Sequence, residues 1–160
     1  MATGTVSTLA PNQYQLVGTS SPTSGTTVSF TSLSGYKSYL LTFEHMAYAG
    51  ATTTRVRFNS DSTNGKYVAI AVGTTSIERG DDSSILVFTS QSASANSAFL
   101  TIENALQTAP KYIDGATTQN DGNALLIKGM YFSTSAITSV DIVAGNTFSS
   151  GTINLYGIAA

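Results

Sequence analysis

The sequence predicts an all-β sandwich or barrel, and three observations point to that fold class. Short runs of β-branched, aromatic and aliphatic residues recur at fairly even spacing along the 160 residues, as they do in sandwiches and barrels. Clusters of Gly, Asn, Asp and Ser, which favour turns, close each run. No stretch shows the apolar period of an amphipathic helix. A chain of this length is expected to form one domain with a sizeable core.

Each apolar run is predicted to be one strand. The predicted strands are Leu16-Val17, Val28 to Phe30, Tyr39 to Phe43, Arg55 to Phe58, Tyr67 to Val72, Ile85 to Phe88, Phe99 to Ile102, Leu125 to Phe132, Ile137 to Ile142 and Ile153 to Ile158. The first is expected to begin at Asn12. Pro110 is expected to break the chain before Tyr112-Ile113.

Two strand predictions carry burial information. The run through Tyr39, Leu41, Phe43 and His45, with Leu40, Thr42, Glu44 and Met46 on the other face, is only weakly amphipathic. It is therefore expected to be a central strand covered on both sides. Thr54, Val56 and Phe58 alternate with Arg55 and Arg57, which predicts a half-buried strand whose cations face water or a partner.

The polar segments are expected to be loops and one terminal arm. Residues 1–11 read as a small, polar N-terminal arm before a β-sandwich domain of residues 12–160. The arm is a candidate for a segment that becomes ordered only on docking. Predicted loops are Gly18 to Thr26, Asn59 to Gly65, Asp81-Asp82, the Ser-rich stretch Thr89 to Ser97, and Asn120-Asp121-Gly122, which has hairpin-turn chemistry.

Composition excludes several classes of function. Charged residues make up 10% of the chain and the net charge is -2, so binding to nucleic-acid phosphates has no electrostatic basis. Cysteine is absent, which removes disulfides and thiolate chemistry. The sequence has no signal-peptide pattern and no apolar run of membrane-spanning length. We expect a soluble protein made in the cytoplasm, with a surface built from its 22 serines and 24 threonines.

Catalytic chemistry has weak candidates. His45 is the only histidine, and no nucleophile-elbow sequence accompanies it, so a structural or interface role is expected. Carboxylates could pair for glycoside hydrolysis as Asp114 with Asp121 or Glu44 with Glu103, but their spacing favours solvated turn and strand positions. We predict no enzyme activity, no cofactor, and no catalytic, cofactor-binding or metal residues.

Two binding sites are also considered. Asn59, Asp61 and Thr63 place oxygen ligands at alternate positions, as in a calcium loop. However, Asn64 stands where an EF-hand needs Gly, and Ile70 where it needs Glu. A polar loop that caps its own backbone is the favoured interpretation. Tyr48, Tyr112 and Tyr131 could form an exposed aromatic cluster that stacks on a glycan, although strand aromatics usually belong to a core or subunit interface.

Three segments resemble a known group of proteins. They are Val28 to Leu41, the loop Val56-Arg-Phe-Asn-Ser-Asp-Ser-Thr-Asn-Gly-Lys-Tyr67, and the ending Ala136 to Val140, Phe148 and Ser150-Gly-Thr-Ile-Asn-Leu-Tyr-Gly-Ile158. Together they resemble tailed-bacteriophage virion proteins with jelly-roll-like β-sandwiches. The resemblance spans most of the chain from Val28 to Ile158, and its motifs mark loops and strands.

The resemblance implies a fold and a function. The implied fold is an antiparallel jelly-roll-like β-sandwich of about 8–10 strands. The implied function is that of a capsid decoration (cement) protein, which would bind the major capsid protein on the virion surface as a homo-oligomer, with a trimer expected. A head-fibre or tail-fibre module that binds host glycan is the alternative. No nucleic-acid or membrane partner is expected.

Overall fold

The computed structural model describes residues 13–73, 77–79, 83–91 and 96–160. Within these ranges the strands are β1 Tyr14–Ser20, β2 Thr27–Phe30, β3 Tyr36–Tyr48, β4 Thr52–Phe58, β5 Tyr67–Gly73, β6 Ile77–Arg79, β7 Ile85–Gln91, β8 Asn96–Glu103, β9 Lys111–Thr118, β10 Ala124–Tyr131, β11 Val140–Ala144 and β12 Phe148–Ala159. The predicted arm, residues 1–11, and the predicted turn Asp81-Asp82 lie outside the described residues.

The strands form two antiparallel sheets that pack as a sandwich. The larger sheet has eight strands in the order β1-β12-β3-β8-β9-β10-β5-β6, and the smaller has four in the order β2-β11-β4-β7. Every described pairing is antiparallel. The predicted all-β antiparallel sandwich is therefore confirmed.

The strand count exceeds the predicted ten because β6 and β9 were not predicted. In β9 the pair Asp114-Gly115 interrupts the apolar run, although Lys111, Ile113, Gly115 and Thr117 all point inward. The prediction for β11 contains a smaller error. The strand expected over Ile137 to Ile142 begins only at Val140, because the chain before it is bound in a loop.

The smaller sheet closes the core over the inner face of the larger one. Phe43 of β3 meets Phe88 of β7 edge to face, with ring centroids 5.6 Å apart. Phe58, Tyr67 and Tyr131 form a second aromatic cluster, in which the two tyrosine rings stack at 4.7 Å. Each buried ring contributes about 1.5–3 kcal/mol by leaving water, so these cross-sheet clusters fix how the two layers face each other.

The predicted alternation holds in β4 and fails at the end of β3. In β4, Thr54, Val56 and Phe58 are buried while Arg55 and Arg57 are half-buried. In β3, His45 has a φ of +51° and the register with β8 shifts between Phe43 and Met46. This bulge turns His45 to the exposed side and buries Met46, which corrects the predicted faces. The predicted central position is confirmed, since β3 lies between β12 and β8 in the larger sheet, but in the single chain its outer face is only partly covered.

The described loops differ slightly from the predicted ones. The loop expected from Gly18 starts later, because β1 continues to Ser20 and pairs with β12. The Ser-rich loop Thr89 to Ser97 is shorter than predicted: β7 ends at Gln91 and β8 begins at Asn96. The turn at Asn120-Asp121-Gly122 is confirmed, since it joins β9 to β10 and Gly122 has a φ of +84°.

Buried tyrosines predict loss of stability at alkaline pH. Burial raises the pKa of Tyr39 and of Tyr48 to about 12, and it also raises the pKa of Tyr67. Their stabilising contribution is complete below the unfolded pKa of 10.0 and is lost as pH rises toward the folded pKa. We expect the urea midpoint, followed by circular dichroism, to fall above about pH 10, at a cost on the order of 1 kcal/mol per tyrosine by pH ~11.

Tyr39→Phe is the matched variant for the alkaline transition. Within the described residues the Tyr39 hydroxyl is buried without a hydrogen-bond partner, so its removal forfeits no bond. We expect stability at neutral pH to be unchanged or higher by about 1 kcal/mol, together with a weaker pH dependence. An unchanged slope above pH 10 would contradict the assignment of Tyr39 to this transition.

Candidate functional site

The outer face of the larger sheet is the main candidate surface. Strand alternation in β5 directs Tyr67, Ala69 and Ala71 into the core and Val68, Ile70 and Val72 outward. The neighbouring strands do the same with large side chains. Those exposed by more than a third are Val68 51%, Ile70 40%, Val72 44%, Phe99 47%, Tyr112 51% and Leu126 64%. Because exposed apolar patches often mark interaction sites, this face of the larger sheet is the main candidate for a binding surface.

The strand register joins these side chains into one surface. Met130 of β10 lies opposite Val68 on one side and Tyr112 on the other. Leu126 lies between Val72 and Ala116, and Ala116 also faces Phe99. We call Val68, Ile70, Val72, Phe99, Tyr112, Leu126 and Met130 the outer apolar face. It crosses four neighbouring strands, and Lys128 and Asp114 lie between its two apolar rows.

The outer apolar face carries little net charge. Lys128, opposite Ile70, forms an ion pair with Asp114 of β9. Both side chains are largely exposed, so the pair adds little stability but neutralises the middle of the surface. A shallow depression of about 430 Å³ lies around them, between Val68, Ile70, Tyr112 and Met130. A second of about 400 Å³ lies beside Val72 and Leu126. These hollows could accept apolar side chains of a partner.

The candidate carboxylate pairs are not brought together. Thr118, the last residue of β9, lies four residues and roughly 13 Å along the strand from Asp114. Asp121 lies in the turn beyond Thr118. Asp114 is paired with Lys128, while Asp121 accepts a bond from the backbone N–H of Asn123 at 2.9 Å. Glu103 follows Ile102, the partner of Tyr39, and so lies at the level of Ser38 in this antiparallel pair, which puts Glu44 six residues further along β3, roughly 20 Å away. Neither arrangement matches a glycosidase pair.

His45 and Glu44 have structural contacts. The backbone N–H of His45 donates to the Ser97 hydroxyl at 3.3 Å, and Glu44 accepts a bond from the Asn154 amide at 3.1 Å. Among the residues described, no group of three or more His, Asp or Glu side chains could hold a metal ion. No described helix is long and apolar enough to cross a membrane.

The loop Asn59 to Gly65 uses its polar groups on the protein itself. Asp61 accepts bonds from the backbone N–H of Thr63 at 2.9 Å and from the Tyr131 hydroxyl at 3.0 Å. Hydrogen bonding by the Thr63 side chain, and then by its backbone N–H and the Tyr131 hydroxyl, holds the pKa of Asp61 below its usual value. The Asn59 amide donates to the carbonyl of Ala136 at 2.9 Å and accepts from the N–H of Thr138 at 2.7 Å. These bonds agree with the predicted self-capping loop, and they add a clamp on the chain before β11.

The predicted aromatic cluster does not form. Tyr48 is 4% exposed and its hydroxyl accepts a bond from Thr54 at 2.6 Å, while Tyr131 is 2% exposed. Only Tyr112 of the three is exposed, and it belongs to the outer apolar face. The prediction failed because Tyr48 and Tyr131 belong to the core faces of β3 and β10, where their rings pack against other buried aromatic side chains.

Sequence reasoning missed the outer apolar face. The signal was present in the run Tyr67 to Val72, which is apolar on both faces, a pattern typical of a strand covered on both sides. Without the register of β8, β9 and β10, nothing connected that run to Phe99, Tyr112 and Leu126. The pairing between these strands is the information that the sequence does not supply.

Comparison with known proteins yields only distant likenesses. No protein-family model matches the chain, and a search of curated proteins finds no match. Among solved structures the chain is similar to exo-inulinase from Aspergillus awamori, at 12% identity and a TM-score of 0.47, over 96% of this chain and 30% of the inulinase chain. It is also similar to a toad ovary galectin in complex with thio-digalactose (12% identity, 84% of this chain and 94% of the galectin, TM-score 0.33). An ancestral congerin is similar as well (11% identity, 80% of this chain and 98% of the congerin, TM-score 0.33). These likenesses are too distant to bear on function.

Proposed function

We propose that this chain is a structural virion protein, a decoration protein that binds the major capsid protein on the phage head as a homo-oligomer. The observation that carries the proposal is the outer apolar face. Its exposed large side chains span four strands. An isolated monomer leaves this apolar surface in water, at a cost of about 25 cal/mol per Å² relative to burying it. The resemblance of the Val56 to Tyr67 loop and of the terminal strand to phage virion proteins supplies the context.

Low charge suits such an assembly role. Only 10% of residues are charged, and the two charges in the middle of the outer apolar face, Lys128 and Asp114, pair with each other. Few ions would therefore have to lose their hydration when the face is covered. Contacts repeated over an oligomer would add through multivalency, so a weak single contact could hold the protein on a lattice.

The proposal is tested by immunogold electron microscopy of intact virions with an antibody against this chain. Label distributed over the head is the expected result. Label confined to the tail or its tip would instead favour the fibre module. Particles without label would overturn a virion role altogether. Sectioned particles exclude the trivial case of an epitope hidden on the intact surface.

A charge placed on the outer apolar face is expected to prevent association. Ile70→Glu or Leu126→Glu puts a carboxylate where the interface would be dry, at a cost of several kcal/mol per ion. We expect the variants to run as monomers in light scattering and to lose binding to capsids in co-sedimentation, with unchanged circular dichroism. Ser34→Glu, on an exposed loop, is the matched control and should behave as wild type. If Ile70→Glu also retains oligomer and capsid binding, the outer apolar face is not the assembly surface.

A further inference from the structure

The outer surface of the smaller sheet contains a polar depression distinct from the outer apolar face. It has a volume of about 280 Å³ and is lined by Thr27, Ser29, Arg57, Ser60, Asp141 and Val143. Strand register builds it, because Ser29 of β2, Asp141 of β11 and Arg57 of β4 lie directly opposite one another. One hydroxyl, one carboxylate and one guanidinium thus form a row across three strands.

The two charged groups in this row do not form an ion pair with each other. Asp141 is only 7% exposed, and its Oδ2 accepts a bond from the Ser60 hydroxyl at 2.9 Å. Arg57 lies directly opposite yet forms no ion pair with Asp141 in the described part of the chain. Its Nε is buried there without a hydrogen-bond partner. The Nε is closed to solvent, so a ligand would have to accept from the part of the Arg57 guanidinium that lines the depression, and such a hydrogen bond to a charged group is favourable.

The backbone at the edge of the depression is strained. Asn59 and Ser60 have consecutive φ values of +55° and +52°, which cost non-glycine residues free energy and often mark functional positions. The bond that Asn59 donates to the Ala136 carbonyl and the bond that it accepts from the Thr138 N–H hold this conformation. Its consequence is that the Ser60 hydroxyl is directed at the Asp141 carboxylate, and this orients that group within the site.

We propose that this depression binds a single sugar ring through two neighbouring hydroxyl groups. One sugar hydroxyl would donate to Asp141, the other would accept from Arg57, and the hydroxyls of Thr27 and Ser29 would complete the polar contacts. Val143 offers an apolar patch for the C–H face of the ring. Pockets for drug-sized ligands have volumes of about 300–1,000 Å³. This depression is slightly smaller, so it suits one small ligand. A simple anion is disfavoured, because it would also face Asp141. The proposal is independent of the assembly role.

The test is titration of the ¹⁵N-labelled full chain with glucose, galactose, mannose and N-acetylglucosamine, each to roughly 100 mM, well above a millimolar Kd. We expect at least one sugar to give saturable amide shifts confined to Thr27, Ser29, Ser60 and Val143. Asp141→Asn and Arg57→Gln should each weaken binding about tenfold or more, as expected for a hydrogen bond to a charged group. Asp121→Asn, a carboxylate in the turn between β9 and β10, should leave binding unchanged.

Each other outcome counts against the proposal. The absence of saturable shifts with all four sugars would overturn it, as would shifts centred on the outer apolar face. Inorganic sulfate provides the second arm: shifts at the same amides with sulfate but with no sugar would make this an anion site. The amide spectra of the variants verify folding directly, and Ser60→Ala offers a milder change if Asp141→Asn fails to fold.

Discussion

Replacing Lys111 with Met is expected to destabilise the fold by about 3 kcal/mol, because the buried amine holds two loops together. Lys111 is 0% exposed. Its Nζ donates to the carbonyls of Gln107 at 2.6 Å, Ala109 at 2.7 Å and Ser133 at 3.2 Å. All three ammonium protons are thereby used. Methionine would fill a similar volume but leave these carbonyls without their donor.

The comparison variant for Lys111→Met is Lys128→Met. Lys128 is also a strand lysine, but its ion pair with Asp114 is exposed, so we expect a change of at most about 1 kcal/mol. Urea unfolding followed by circular dichroism measures both. A loss below about 1 kcal/mol for Lys111→Met would show that solvent or neighbouring groups replace the three bonds. Burial lowers the pKa of Lys111, which means that the cost of burying the charge already offsets part of the gain.

Lys111 also shows where sequence reasoning ends. A lysine after Pro110 reads as a solvated loop residue, since lysine is almost never fully buried. It is buried because its four-carbon stem points inward from the first residue of β9 and the ammonium meets carbonyls of two loops. One of these carbonyls, that of Ser133, is 22 residues away from Lys111 along the chain. Nothing in the local sequence predicts that contact.

Strands with a clear local pattern were predicted well. The alternation in β4 and the apolar runs of β5 and β10 lie where the sequence places them, because side-chain parity is a local property. Pairing between strands is not local. The residue pair Leu41 and Leu155 joins β3 to β12 across most of the chain. Both candidate surfaces are products of such register, as in the row formed by Ser29, Asp141 and Arg57.

The bulge at His45 illustrates a second limit. The sequence from Tyr39 to Met46 contains no glycine or proline that would announce a break in alternation. A matching irregularity lies on the neighbouring strand, where Gly151 of β12 has a φ of +119° and the register with β3 also shifts. A Cβ at Gly151 would approach the Cα of Met46 to 2.8 Å. The glycine and the bulge require each other, although more than a hundred residues separate them.

Gly115→Ala is expected to cost about 3 kcal/mol or to prevent folding, because the added methyl group would overlap the neighbouring strand. Gly115 lies between Leu100 of β8 and Ile127 of β10. A Cβ there would clash with the carbonyl oxygen of Phe99 and approach Cδ2 of Leu100 to 2.6 Å. A backbone carbonyl in a paired strand cannot rotate away without breaking the ladder. The whole β8–β9 pairing, and with it the support of the outer apolar face, would have to shift.

Gly65→Ala separates this steric effect from ordinary glycine strain. Gly65 has a φ of +81°, but a Cβ there meets nothing within 4 Å, so alanine should cost only about 1 kcal/mol. Thermal denaturation followed by circular dichroism distinguishes the two variants, with the larger drop in Tm expected for Gly115→Ala. An equal drop would mean that β8 and β9 approach each other less closely than this register requires. Since β8 and β9 carry Phe99 and Tyr112 of the outer apolar face, the same result would also weaken the case for that face as one continuous surface.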